Sequence, residues 1–156
     1  MTVRTGKNYA FGETLESADL NKGPQGWIAR ERVTGSNQTG ISAETVLTAF
    51  SLTPTVQGSD RTLKCSAQVH TTSASTTAYA VVRIREGSVS GDIIAAQQLL
   101  VGTGGDVTFT PLGIYSPVNG THTFVVTLAT STGTIASGMS STFPGYLVVE
   151  DAGPAS

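Results

Sequence analysis

The sequence predicts an all-β fold: an antiparallel β-sandwich of the jelly-roll kind with about eight strands, preceded by an extended N-terminal arm. Three observations carry that expectation. Charged residues are only 13% of the 156 residues, about half the ordinary globular share, while Gly, Ser and Thr are used heavily from end to end. Hydrophobic residues, at 38%, fall in short runs of period two with no helical period between them. Turn signals rich in Gly, Pro, Asn and Asp separate those runs at short intervals. Thr and Val suit a pleated surface, whereas Ser and Thr in a helix compete with the backbone for hydrogen bonds.

From Met1 to about Pro24 the chain is polar and irregular, with isolated large apolar residues at Tyr9, Phe11, Leu15 and Leu20 and a Gly23-Pro24 break. Ser17 with Asp19, Leu20 and Asn21 suits the cap of a single helical turn, too short to stand as a helix alone. Residues 1–25 therefore read as an arm and residues 26–156 as one sandwich domain, the size at which one domain with one core is the default.

The strands follow in order. Trp27 to Val33 and Thr45 to Leu52 open the sandwich. Arg61 to Thr71 is the clearest, with Leu63, Cys65, Ala67 and Val69 alternating with Thr62, Lys64, Ser66, Gln68 and His70, one buried and one wet face. In Ala78 to Glu86, Ala80, Val82 and Ile84 share the core face, and Arg83 and Arg85 lie on the other with Tyr79 and Val81. Ile93 to Val101, Val107 to Tyr115, Thr121 to Thr130 and Tyr146 to Glu150 complete the set. Gly133 to Thr142 reads as an edge strand or a loop. A barrel is the alternative closure of the same strands. The chain has no internal repeat at a fixed period.

Nine Lys and Arg stand against eleven Asp and Glu, a formal net charge of −2, with no basic stripe, so nucleic-acid binding is not expected. No run approaches the eighteen or so apolar residues of a membrane span. The first thirty residues hold Arg4, Lys7, Glu13, Glu16 and Asp19 without an apolar run, so no signal peptide is read and synthesis in a cytoplasm is expected. On that reading Asn37-Gln38-Thr39 and Asn119-Gly120-Thr121 have no meaning as glycosylation sites. The single cysteine, Cys65, sits in the alternating pattern as a small buried hydrophobe and permits no intrachain disulfide.

Catalytic constellations are not apparent. His70 falls on the polar face of its strand and His122 follows the Asn119-Gly120 turn, so both read as solvent-facing surface residues. No G-x-S-x-G elbow occurs. The adjacent acids Glu150 and Asp151 point to opposite faces of a strand, which is wrong for paired catalytic carboxylates, and read as its end. Gly102-Thr103-Gly104-Gly105 lacks the Lys and the following helix of a phosphate cradle and reads as a turn. No enzyme activity, metal or cofactor is expected. Arg30, Glu31 and Arg32, like Arg83 and Arg85, read as solvated strand faces, with a charged contact between subunits as the alternative. Tyr79, Tyr115 and Trp27 are the candidates for a sugar-stacking platform, each with packing as the plainer role.

Two segments carry a resemblance. Gly12-Glu13-Thr14-Leu15-Glu16-Ser17-Ala18-Asp19-Leu20-Asn21, following Phe11, resembles the G-x-x-L-x-x-A-D-L-N opening of tail and fibre proteins of tailed bacteriophages, with Glu16-Ser17 where that family usually has Thr-Ala. Pro144-Gly145-Tyr146-Leu147-Val148-Val149-Glu150-Asp151-Ala152-Gly153-Pro154 resembles the P-x-Y-L-x-V-E-D-x-G-P ending of minor tail and other virion proteins of phages infecting actinobacteria. The resemblance implies a virion structural protein: a sandwich displayed on the tail or capsid, with other virion proteins as partners and homo-oligomers, often trimers. Under it, Tyr9, Phe11, Leu15 and Leu20 become the virion-docking residues. A module binding a host-surface glycan is the alternative.

Overall fold

The computed structural model describes residues 26–154 apart from 36, 57–60 and 73, and every element among them is a strand, bridge, turn or bend. The strands are β1 (Gly26–Val33), β2 (Thr45–Leu52), β3 (Thr55–Val56), β4 (Arg61–Thr72), β5 (Ala78–Glu86), β6 (Ile93–Val101), β7 (Val107–Phe109), β8 (Leu112–Tyr115), β9 (Gly120–Thr121), β10 (Phe124–Thr130), β11 (Ala136–Ser137) and β12 (Gly145–Pro154). One sheet runs β1-β12-β4, with β8 and β7 end to end along the far edge of β4 and β11 beyond β12. The other runs β2-β10-β5-β6. The antiparallel pairs β1–β12, β2–β10, β4–β8 and β5–β6 thus alternate between the sheets as the chain advances. This is the eight-stranded jelly roll, a sandwich and not a barrel.

The core fills the space between the sheets. Phe50, Phe109 and Phe124 are fully buried, with Leu47, Leu63, Ile84, Leu128 and Leu147 around them; each such side chain stabilises the fold by about 1.5–3 kcal/mol relative to exposure. The two sheets pinch together where β8 meets β6. A Cβ on Gly113 would lie 2.2 Å from the carbonyl oxygen of Ile94, so only glycine permits the approach. On β12, a Cβ on Gly145 would lie 2.3 Å from Phe50 Cζ.

The structure corrects the sequence expectations at three places and refines them at two more. Val107 to Tyr115 is two strands, broken at Thr110-Pro111, where proline has no N–H to donate to a ladder. Thr121 to Thr130 is likewise divided between β9 and β10, with His122 and Thr123 between them. Of Gly133 to Thr142 only Ala136–Ser137 is strand. Glu150-Asp151 does not end the last strand. The ladder steps over a bulge between Asp151 and Gly153 and continues to Pro154, and Gly153, at φ 104°, supplies the backbone conformation that the bulge uses. Within β2 the register against β10 shifts between Val125 and Thr127, and Leu47 and Phe50, three residues apart, both enter the core.

Candidate functional site

The outer face of the first sheet carries a shallow groove of about 480 Å³, whose lining includes Arg30 of β1, Lys64, Ser66 and Gln68 of β4, Leu112 of β8 and Tyr146 of β12. Strand alternation sets all of these outward. The Arg30 guanidinium carbon stands 4.8 Å from the centre of the Tyr146 ring, a cation–π distance. Lys64 Nζ is 2.9 Å from Glu150 Oε2, and Gln68 Nε2 donates to the carbonyl oxygen of Pro144 at 3.1 Å. The groove therefore sets hydroxyl, amide and cationic groups beside one aromatic ring on a surface that is mostly apolar.

Three further polar clusters lie away from the groove, buried or partly buried. Glu44, just before β2, accepts from Arg85 Nε at 2.7 Å, Arg85 Nη2 at 3.0 Å and Thr127 Oγ1 at 2.6 Å, and Arg83 Nη1 lies 3.1 Å away. One carboxylate so joins β2, β10 and β5. Burial pushes its pKa up, but the hydrogen bonds from Arg85 and Thr127 and the charges of Arg83 and Arg85 prevail and hold it below the ordinary 4.5. Arg83 and Arg85 are therefore not a solvated face: Arg85 is buried and bidentate to Glu44.

Arg61 and Asp151, both buried, pair where β4 begins and β12 ends, and Asp151 Oδ1 also accepts from Gly153 N at 2.9 Å. At the end of β5, Glu86 accepts from the hydroxyl of Tyr115 and faces His122 Nδ1 at 2.6 Å, while His122 Nε2 lies 2.7 Å from the carbonyl oxygen of Val118. Both histidines are buried, against the expectation of solvent-facing side chains. His122 is held in this cluster. His70 keeps its place on the outward face of β4, but the Phe143 ring stacks on it at 4.8 Å and Thr108 Oγ1 lies 3.1 Å from its Nδ1.

The remaining predicted residues are placed as follows. Tyr9, Phe11, Leu15 and Leu20 lie outside the described residues, as does the Trp27 side chain. Tyr79 is half-exposed on the outward face of β5 beside Leu100. Tyr115 holds Glu86 and packs edge-on against Phe124 at 5.9 Å, so its ring is part of the packing and not a platform. Cys65 is fully buried. Gly102-Thr103-Gly104-Gly105 is a tight turn closed by the Gly105 N–H on the Gly102 carbonyl at 2.8 Å. Among the described residues no group of three or more His, Cys, Asp or Glu is placed to hold a metal ion. Sequence spacing carried no signal for the Glu44, Asp151 or Glu86 clusters, since Glu44 and Arg85 are 41 residues apart, Arg61 and Asp151 90, and Glu86 and His122 36.

No family model and no curated protein sequence matches the chain. Among solved structures, the chain is similar to a protein of the disulfide-linked pili of Bacillus endospore appendages, at 13% identity and a TM-score of 0.38, over 85% of this chain and 92% of that one. It is similar to a chain of the infectious bursal disease virus particle at 10% identity and a TM-score of 0.47, over 85% of this chain and 36% of that longer one. It is also similar to a β-1,3-glucan-binding carbohydrate-binding module from Bacillus halodurans at 17% identity and a TM-score of 0.41, over 79% and 86% of the two chains. At such values none of the three bears on function.

Proposed function

We propose that the chain is a structural component of a bacteriophage virion: a surface-displayed β-sandwich attached to the tail or capsid through the N-terminal arm of residues 1–25. The observation that carries this reading is the use the sandwich makes of its ionisable residues. Glu44 with Arg83 and Arg85, Arg61 with Asp151, and Glu86 with His122 each tie strands together, and none of these residues lines the groove. The two terminal segments that resemble virion proteins support the same reading, and the second of them builds β12, an inner strand between β1 and β4. Tyr9, Phe11, Leu15 and Leu20 are the docking residues. Burying them contributes a few kcal/mol at about 25 cal/mol per Å², which many copies on one particle multiply. Deleting residues 1–23 tests the proposal: the truncated protein folds but is not incorporated into particles. Normal occupancy of the truncated protein on particles would place attachment on the sandwich instead.

The groove favours a second reading, recognition of a host-surface glycan, because Ser66, Gln68 and Lys64 present polar groups beside the Tyr146 ring. A glycan array probed with the full chain and with Tyr146→Ala decides it. Retention that the substitution leaves unchanged, or no retention at all, sinks this reading.

A further inference from the structure

Exposed apolar side chains concentrate on the strands at one edge of the sandwich, on the outer faces of both sheets. Of the eight large hydrophobics that stand exposed among the described residues, Ile93 and Leu100 are on β6, Leu112 and Ile114 on β8, and Tyr79 pairs directly with Leu100 across the β5–β6 ladder. These strands form the same side of the fold: β6 is the last strand of the second sheet, β8 lies on the outer edge of β4, and Gly113 of β8 rests against the Ile94 carbonyl of β6.

Among the described residues no strand covers this edge beyond the approach of Gly113 to the Ile94 carbonyl. β6 pairs, among the described residues, only with β5, and its nine residues, Ile-Ile-Ala-Ala-Gln-Gln-Leu-Leu-Val, contain no charge, no proline and no glycine. Soluble proteins ordinarily protect a long edge with such residues, because its second row of N–H and C=O groups is a template for another strand. The β1 and β2 edges differ from the β6 edge. β1 presents Arg30, Glu31 and Arg32, and β2, whose ladder shifts register as that of β6 also does between Ile93 and Ala95, fully exposes only Thr48 and Ser51.

We infer that the β6 edge, flanked by Leu112 and Ile114 of β8, is an interface between two copies of this chain, in which β6 pairs antiparallel with β6 of a second copy and joins the two four-stranded sheets into one. The occupant follows from charge and symmetry. An isologous contact sets a surface against itself, and facing residues of an antiparallel pair lie on the same face, so outward residues must oppose outward residues. Centred on Gln98, the pairing sets Ala96 against Leu100 outward, and Gln97 against Leu99 and Ala95 against Val101 inward. No like charges meet in any register. β1 turned on itself about Glu31 would instead set Arg30 against Arg32. The inference stands whether or not the arm anchors the chain to a particle.

Sedimentation of the full chain over a range of concentrations, with and without the double substitution Ala96→Lys and Leu100→Lys, tests it. The unsubstituted protein sediments as a dimer or a larger assembly, the double variant as a folded monomer with an unchanged circular dichroism spectrum. The loop substitution Val118→Lys, at the most exposed of these hydrophobics, leaves the assembly intact. Gln98→Cys gives a second readout. Cysteines facing each other across the two-fold lie within disulfide reach, and because Cys65 is buried, oxidation yields a cross-linked dimer through position 98 alone. A strictly monomeric protein, or an assembly that both lysines leave intact, overturns the inference, and this readout is independent of incorporation into particles.

Discussion

Glu86 and His122 face each other across 2.6 Å where β5 ends, and the second ring nitrogen of His122 lies 2.7 Å from the Val118 carbonyl oxygen. A carboxylate and a carbonyl can only accept, so both bonds are made only when both nitrogens carry protons. The geometry therefore selects the imidazolium. The Glu86 hydrogen bond, reinforced by the Val118 carbonyl and the Glu86 charge, raises the pKa of His122 above 6.5 against the opposing effect of burial. Burial pushes Glu86 up, but the hydrogen bonds from Tyr115 and His122 and the His122 charge prevail and hold it below 4.5.

The sign of the pH dependence follows from these directions. The folded state binds the His122 proton more tightly than the unfolded chain, so the stability from this pair is complete below about pH 6.5 and is lost as the pH rises through the raised value. The Glu86 contribution is present above about pH 4.5 and is lost as the pH falls through its lowered value. Thermal melts should show stability declining as the pH rises above about 6.5, and His122→Gln should flatten that decline. An identical profile in the variant would assign the dependence to another group.

Glu44 is the single acceptor that joins three strands. Glu44→Ala should destabilise the sandwich by about 2 kcal/mol, because it leaves the buried Arg85 guanidinium without its carboxylate. Arg83→Asp, which the sequence pattern alone would have tolerated, should also destabilise, since it places an acid beside Glu44. Denaturant titration of both variants checks this, and a midpoint unchanged for both would mean that the cluster adds nothing to stability.

Cys65 is fully buried, and burial pushes its thiol up to about 12. Attack on a reagent needs the thiolate, so a maleimide should label the native protein only at the rate at which it unfolds. Rapid labelling without denaturant would show that β4 is open to solvent at this position.

Gly113→Val should lower stability by about 1–3 kcal/mol or more through overpacking, because the new Cβ would meet the Ile94 carbonyl oxygen at 2.2 Å and the Ala95 methyl at 2.9 Å. Gly35→Val, with nothing within 4 Å of a Cβ, is the control. Equal melting temperatures for the two would show that β6 and β8 are not in contact.

How much was legible beforehand differs from residue to residue. Ala78–Glu86, Ile93–Val101 and Thr45–Leu52 are readable to the residue because alternation and flanking turns are local properties of the chain. The break at Thr110-Pro111 and the two-residue gap at His122 interrupt patterns that are otherwise continuous in the sequence. His70 illustrates the limit best. Its parity on β4 was right, yet it is buried, because Phe143, 73 positions further along the chain, closes over it.

The sequence by itself determined the fold class, most of the strand limits and which face of β4 and β5 meets the core, since side-chain direction in a strand depends only on the parity of neighbouring positions. Only the tertiary structure decided which partners the charged and titratable groups meet. Glu44 finds Arg85, Asp151 finds Arg61 and His122 finds Glu86 because the jelly roll winds strands distant in sequence side by side, and such pairings are a property of register and sheet order that no local pattern encodes.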